Sequence, residues 1–171
     1  MASFDTAYEW TMDNEDPARK YAVVPDVPEG SHAISGINDH FYPAEFKIIA
    51  DALVNQRAEL VRDFYDAKFW NRWFQALQSD EVAKRVFDAA VNMGPGTAVK
   101  LLQTATMNVS GIVEDVDGEW GPTTLLRANT CSADLLASGF RQARVAHYRD
   151  IVLKHPEKAK FLAGWLVRAG K

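Results

Sequence analysis

The sequence predicts a mainly α protein with a small irregular or β lobe near its N-terminus. Apolar residues recur at helical spacings of three and four over most of the 171 residues. That pattern lapses between Pro17 and Pro43, where Pro25, Pro28, Gly30 and Gly36 punctuate two short, partly β-branched runs. Serine or proline stands where helical stretches begin, at Ser3, Pro43, Ser79, Pro122, Ser132 and Pro156.

Ser3 caps a first helix that reaches about Asn14, with Asp5 in its first turn, where the helix dipole favours an anion. Phe4, Ala7, Tyr8 and Thr11 share one face. Pro17 ends the helix, since proline has no N–H and restricts the residue before it. Residues 21–24 and 32–37 predict a two-stranded ribbon or an extended loop. Pro43 opens a helix carrying Phe46, Ile49, Ala50 and Leu53. Another starts near Gln56 and runs towards Phe69 and Trp70, and Trp73, Phe74 and Leu77 continue the apolar load. Ser79 caps the next helix, with Asp80 and Glu81 in its first turn and Val82, Val86, Ala89, Ala90 and Met93 as its buried stripe. Gly94-Pro95-Gly96 breaks it, and Ala98, Leu101, Leu102 and Ala105 mark the one after. Residues 109–120 read as a loop or small hairpin, and 123–128 as a short helix. The longest helix covers 133–154, with Leu136, Phe140, Ala143, His147 and Ile151 facing inward. Pro156 opens a last helix with Phe161, Leu162 and Trp165.

Composition narrows the function classes. Hydrophobic residues make up 47% and charged residues 25%, the ordinary globular mix. The net charge of −4 argues against nucleic acid and anionic membrane surfaces, both of which are bound through clustered Lys and Arg. One cysteine, Cys131, permits no intrachain disulfide, and the histidines at 32, 40, 147 and 155 lack metal-ligand spacing, so no metal or cofactor is expected. No apolar run approaches a membrane span, and residues 1–6 lack the features of a secretion signal. The expectation is a monomer made in the cytoplasm that reaches its place of work after release.

Several stretches carry a resemblance. In order they are Phe4-Asp5 with Ala7; Asn14-Glu15; Ser35-Gly36-Ile37-Asn38; Phe64-Tyr65 with Phe69-Trp70; Val86 onward through Asn92-Met93-Gly94 to Gln103; Asp117-Gly118-Glu119-Trp120-Gly121-Pro122-Thr123-Thr124; and Phe161-Leu162 with Gly164-Trp165-Leu166 and Arg168. The pattern resembles glycoside hydrolase family 108, the N-acetylmuramidase group of phage endolysins and bacterial secretion-activator proteins. The resemblance implies a lysozyme-like helical fold, with a catalytic part over 1–94 and a helical peptidoglycan-binding-like part over 95–171, packed as one compact unit. It implies peptidoglycan glycan strands as substrate, cleavage at the β-1,4 bond between N-acetylmuramic acid and N-acetylglucosamine, and a general acid at the end of the first helix, here Glu15. Where the family has Gly-Gly-Tyr after that glutamate, this chain has Asp16-Pro17-Ala18, and Tyr21, the nearest tyrosine, is the candidate for that tyrosine's place in binding substrate.

The residues themselves admit this chemistry. A carboxyl group protonates a glycosidic oxygen near neutral pH when its surroundings lift its pKa. Thr11, one turn before Glu15, and Trp10 are the expected wall. A carboxylate is disfavoured at a helix C-terminus by the dipole, so Glu15 sits there against its stability interest. A second group must stabilise the oxocarbenium-like transition state or activate water. Asp26 is the first candidate, then Glu29 and Asp16. Asp88 and Asn92, one helical turn apart, are candidates for hydrogen bonding to substrate. Tyr42, Tyr65, Trp70, Trp73 and Trp120 are candidate sugar platforms, each also explicable as core. Two other readings stay open: a non-catalytic wall-binding or secretion-associated helical protein, and a lytic transglycosylase, which uses one glutamate and yields an anhydro sugar.

Overall fold

A computed structural model describes residues 1–113 and 115–171 of the chain. It is mainly helical, with one small antiparallel sheet near the N-terminus, the lysozyme-like class expected. Helix α1 (Phe4–Glu15) is capped by the Ser3 hydroxyl, which accepts from the Thr6 N–H, and closed by Asp16 just ahead of Pro17. The sheet follows: β1 (Val23–Asp26), β2 (Ser31–Ile34) and β3 (Ile37–Asn38), in that spatial order. The two expected strands are thus three. The third pairs across Ser35-Gly36, a two-residue hairpin turn in which both residues have positive φ, 47° and 82°. Gly36 takes that conformation without cost, whereas Ser35 needs outside support.

Helices α2 (Pro43–Asp51), α3 (Val54–Phe69), α4 (Arg72–Ala76) and α5 (Asp80–Met93) come next. The Ser79 hydroxyl caps α5 as expected, accepting from the Val82 N–H. Helix α5 is the axis of the molecule. Val82, Ala83, Arg85, Val86, Phe87, Asp88, Ala89 and Ala90 are all buried, so it is enclosed on nearly every side. Helix α1 lies beside it in the same direction: the Ser3 N–H donates to Asp80 at its start, and the Asn14 amide to Asp88 near its end. Phe87 enters a ring cluster of Phe4, Phe69, Trp70 and Phe74, with centroids 5.7–6.5 Å away.

Gly94, with φ of 90°, turns the chain into α6 (Pro95–Ser110), followed by α7 (Pro122–Thr130), α8 (Ala133–Lys154), a 3-10 turn (Pro156–Lys158) and α9 (Ala159–Gly170). Helix α6 extends through Val109, where a loop or hairpin was expected to have begun; of that stretch, Glu114 lies outside the described residues. The buried Gln103 amide organises the rest by donating to Asp117 and Thr124 and accepting from the Gly118 N–H. The inward face of α8 differs from the expected stripe. Leu136 and Phe140 are buried, but the next two buried positions on that ridge are Arg144 and Tyr148, while His147 and Ile151 are half-exposed. Burial still depresses the His147 pKa. A pattern search for apolar residues misses Arg144 because a buried guanidinium needs a buried carboxylate, and that carboxylate is on α5. Among the described residues, no helix is long and apolar enough to cross a membrane, and no three His, Cys, Asp or Glu side chains are grouped to hold a metal ion.

Candidate active site

Glu15 is the last residue of α1 and points into a cleft of about 800 Å³ between the sheet lobe and the helices. Asp26, Asn38, Phe41, Tyr42, Asn92 and Arg168 line the same cleft. The sequence-predicted Glu15, Asp26 and Asn92 are therefore brought together.

The lobe is held against Glu15 by a short chain of polar contacts. The Asp16 carboxylate accepts from the Lys20 and Tyr21 N–H groups and from the Ser35 hydroxyl. Partial burial works against its charge, but those three hydrogen bonds and the nearby Arg19 outweigh it and hold its pKa low. Asp16 is thus committed to the turn and is not the second carboxylate of the cleft. From the other side the Tyr65 hydroxyl donates to the Ser35 carbonyl at 2.8 Å. Burial, and then the charge of Glu15, push the Tyr65 pKa well up, so it stays a neutral donor. The clamped hairpin brings Gly36 so close that a Cβ there would lie 2.6 Å from Glu15 Oε2 and 2.7 Å from the Tyr65 hydroxyl.

Opposite the lobe, Arg168 reaches in from α9. Its Nη2 donates to Glu15 Oε1 at 2.6 Å and to Asp88 Oδ1 at 2.7 Å, and its Nε donates to both Asp88 oxygens at 3.1–3.2 Å. Arg144 Nη1 pairs with Asp88 Oδ2 at 2.7 Å. Burial opposes the charge on Asp88, yet the two guanidiniums overcome it and keep its pKa below the ordinary carboxylate range. Burial likewise opposes the charge on Arg168, and Glu15 and Asp88 reverse that, driving its pKa up. Asn92 is fixed by the Tyr148 hydroxyl, which donates to its Oδ1 at 2.6 Å and accepts from Arg144 Nε at 3.0 Å. Asp26 is steadied by the Asn38 amide, which donates to its Oδ2 at 2.8 Å.

Several expected site residues stand elsewhere. Asp88 is fully buried and is the anchor of Arg168, with no surface for a sugar. Tyr65 is 1% exposed, so its part is to clamp the hairpin, not to offer a platform. Tyr21 packs on the core outside the cleft lining. Trp120 stacks on Trp73 and meets Phe74 edge-on, and Trp70 stacks on Phe74, so all three tryptophans belong to the ring cluster and none of them lines the cleft. Of the five candidate platforms, Tyr42 alone lines the cleft. Glu29 is exposed at the β1–β2 turn and does not line it. Trp10 is no wall for Glu15, because five residues apart on a helix leaves them about 140° apart; Lys84 and Arg85 lie over its ring at 4.0 and 5.1 Å. Thr11 is wholly buried. Sequence reasoning missed Arg168, Asn38 and Phe41. For Phe41 a signal existed, an aromatic beside Tyr42 in a turn just before Pro43, and it is 63% exposed at the cleft.

No protein of curated function matches the chain. The solved structure described as Brucella abortus SagA superposes with a TM-score of 0.67 and 25% sequence identity, over 98% of this chain and 89% of that one. The family model described as glycosyl hydrolase 108 matches residues 11–94, which include Glu15, Asp26 and Asn92, and the one described as a predicted peptidoglycan domain matches residues 97–170. The chain belongs to the glycosyl hydrolase 108 family, with a peptidoglycan domain as its second half, and is a glycoside hydrolase that acts on peptidoglycan.

Proposed function

We propose that the chain is an N-acetylmuramidase that cleaves the β-1,4 bond between N-acetylmuramic acid and N-acetylglucosamine, with Glu15 as general acid. The observation that carries this reading is a carboxyl at the end of α1, opening into a cleft that holds a second carboxylate, Asp26, on the facing lobe. Oε1 of Glu15 is occupied by a donor, Arg168, so the proton it delivers to the leaving oxygen resides on Oε2. Asp26, aimed by Asn38, stabilises the positive charge that grows at the anomeric carbon or orients the incoming water. Phe41 and Tyr42 offer ring faces to the sugar C–H groups, and the Asn92 amide nitrogen is free to donate to a substrate carbonyl while its oxygen is held by Tyr148. In this reading the protein works as a monomer on the wall outside the cytoplasm, as an endolysin or a bacterial relative of one.

The test is the product. Purified peptidoglycan is digested and the released fragments are weighed by mass spectrometry. Fragments ending in a reducing N-acetylmuramic acid are expected. Anhydro ends, lighter by one water, assign a lytic transglycosylase instead, and binding with no release assigns a wall-binding protein.

The close approach of the hairpin yields a second expectation. Gly36→Ala forces either Glu15 or the hairpin to move, because the new Cβ meets Glu15 Oε2 and the Tyr65 hydroxyl at well under contact distance. The positive φ adds roughly 1–2 kcal/mol of strain. Displacing a reacting group by about 1 Å costs on the order of 10²-fold in rate. Clearing of peptidoglycan by Gly36→Ala is expected to fall by about that factor, with a lower melting temperature, as read by turbidity and thermal unfolding.

A further inference from the structure

We propose that Arg168 is a positioning residue for Glu15, so that the second half of the chain completes the hydrolytic centre as well as meeting the wall. The inference deepens the reading above and rests on Glu15 being the reacting carboxyl.

Arg168 is held from several sides. It stands 153 residues from Glu15, on a helix whose only fully buried side chain is Ala169. Helix α9 is seated on α8 by the stack of Trp165 on Tyr148, with centroids 5.2 Å apart, so the arginine arrives at a defined depth. Its guanidinium is then oriented by Asp88, which engages both Nε and Nη2 and is itself locked by Arg144 and Asn14. Nη2 thus reaches Glu15 from a fixed platform. A guanidinium bound in a fork to one carboxylate has little freedom left, which makes it a stop against which a second carboxylate is set. A second contact of the same kind runs in parallel: Tyr148 of α8 fixes Asn92 at the cleft. Two groups of the hydrolase half are therefore aimed by two residues of the peptidoglycan half.

Charge follows from the same arrangement. Two carboxylates, Glu15 and Asp88, face two guanidiniums, Arg144 and Arg168, in a part-buried cluster that is neutral when all four are ionised. The other charged or titratable groups around Glu15 are Asp16 beside it, Asp26 across the cleft, Tyr65 of α3 held neutral, and Lys171 on the Asn14 side chain. Of these, Arg168 alone touches the Glu15 carboxyl with a positive charge among the described residues. The contact engages Oε1 and sets the Glu15 carboxyl against a guanidinium that Asp88 already holds in place. Without it, the reacting group is free to turn away from the bond it must protonate.

The experiment uses the full chain and initial rates on purified peptidoglycan across substrate concentration for wild type, Glu15→Gln, Arg168→Gln and Arg168→Lys. Arg168→Gln is expected to lower kcat by on the order of 10²-fold with KM little changed, because the reacting carboxyl is no longer held in place. Arg168→Lys keeps the charge but presents one ammonium where the guanidinium spans two carboxylates, so it does not restore the wild-type kcat. A folded Arg168→Gln protein with wild-type kcat, or one altered in KM alone, overturns the proposal. Should Arg168→Gln not fold, Arg168→Lys decides: wild-type kcat overturns the proposal, and a reduced kcat at unchanged KM sustains it. A Glu15→Gln protein as fast as wild type sinks the assignment of Glu15 itself. An inactive Glu15→Gln beside an Arg168→Gln protein of wild-type kcat sinks only the part given to Arg168.

Discussion

Glu15→Gln is expected to lower the rate of peptidoglycan hydrolysis by about two to four orders of magnitude, the range over which a positioned general acid contributes. Glutamine is nearly the same size, and its carbonyl still accepts from Arg168, so the cleft keeps its shape. What it lacks is a proton to give. Thermal unfolding of the variant should remain one cooperative transition close to wild type, because Arg168 retains its three hydrogen bonds to Asp88. Turbidity clearing and melting temperature together separate loss of chemistry from loss of fold. Clearing at the wild-type rate removes Glu15 from the reaction, and the proton must then come from elsewhere.

Asp88→Asn is expected to cost about 3–5 kcal/mol of stability, the usual consequence of removing one partner from a buried ion pair. Arg144 and Arg168, with side chains only 3% and 14% exposed, would keep their charges with no carboxylate between them. The asparagine amide would also turn donors towards donors. For a chain of this length that loss lowers the melting temperature by roughly 10 °C. The effect depends on pH in a definite direction. The folded pKa of Asp88 lies below its ordinary 3.8, so its contribution is complete above that value and is lost as pH falls through the folded pKa. The gap between wild type and Asp88→Asn should therefore be full at neutral pH and narrow only below about pH 4. A constant gap down to strong acid would show that the charge of Asp88 is not what holds the helices together. Activity should fall as well, because Arg168 loses its orientation.

Glu15 and Asp88 differ in how far the local sequence exposes their roles. Glu15 was legible in the chain, since an acid at a helix C-terminus, followed by proline and an irregular lobe, is a local pattern. Asp88 was visible as a residue but not as a role. At one helical turn from Asn92 it reads like a groove residue, and only the approach of α8 and α9 shows that it is wholly enclosed. The stripe of α8 was misread for the same cause. Arg144 and Tyr148 look like surface positions until a carboxylate from α5 and an amide from Asn92 are set against them. Trp10 was placed beside Glu15 by nearness in sequence, whereas the helical turn sends it towards Lys84 and Arg85.

By itself the sequence determined the helical class, the starts of helices at Ser3, Pro43, Ser79 and Pro122, the break at Gly94-Pro95, and the acid at the end of α1. Each of these is set by caps, prolines, glycines and periodicity within a few residues of the chain, and such forces act before any long-range contact forms. Tertiary structure alone decided the third strand, the approach of Gly36 to Glu15, and the arrival of Arg168 at that same carboxyl. Those pairings join residues up to 153 positions apart, and a guanidinium on an exposed helix carries no local mark of the buried carboxylate it will meet.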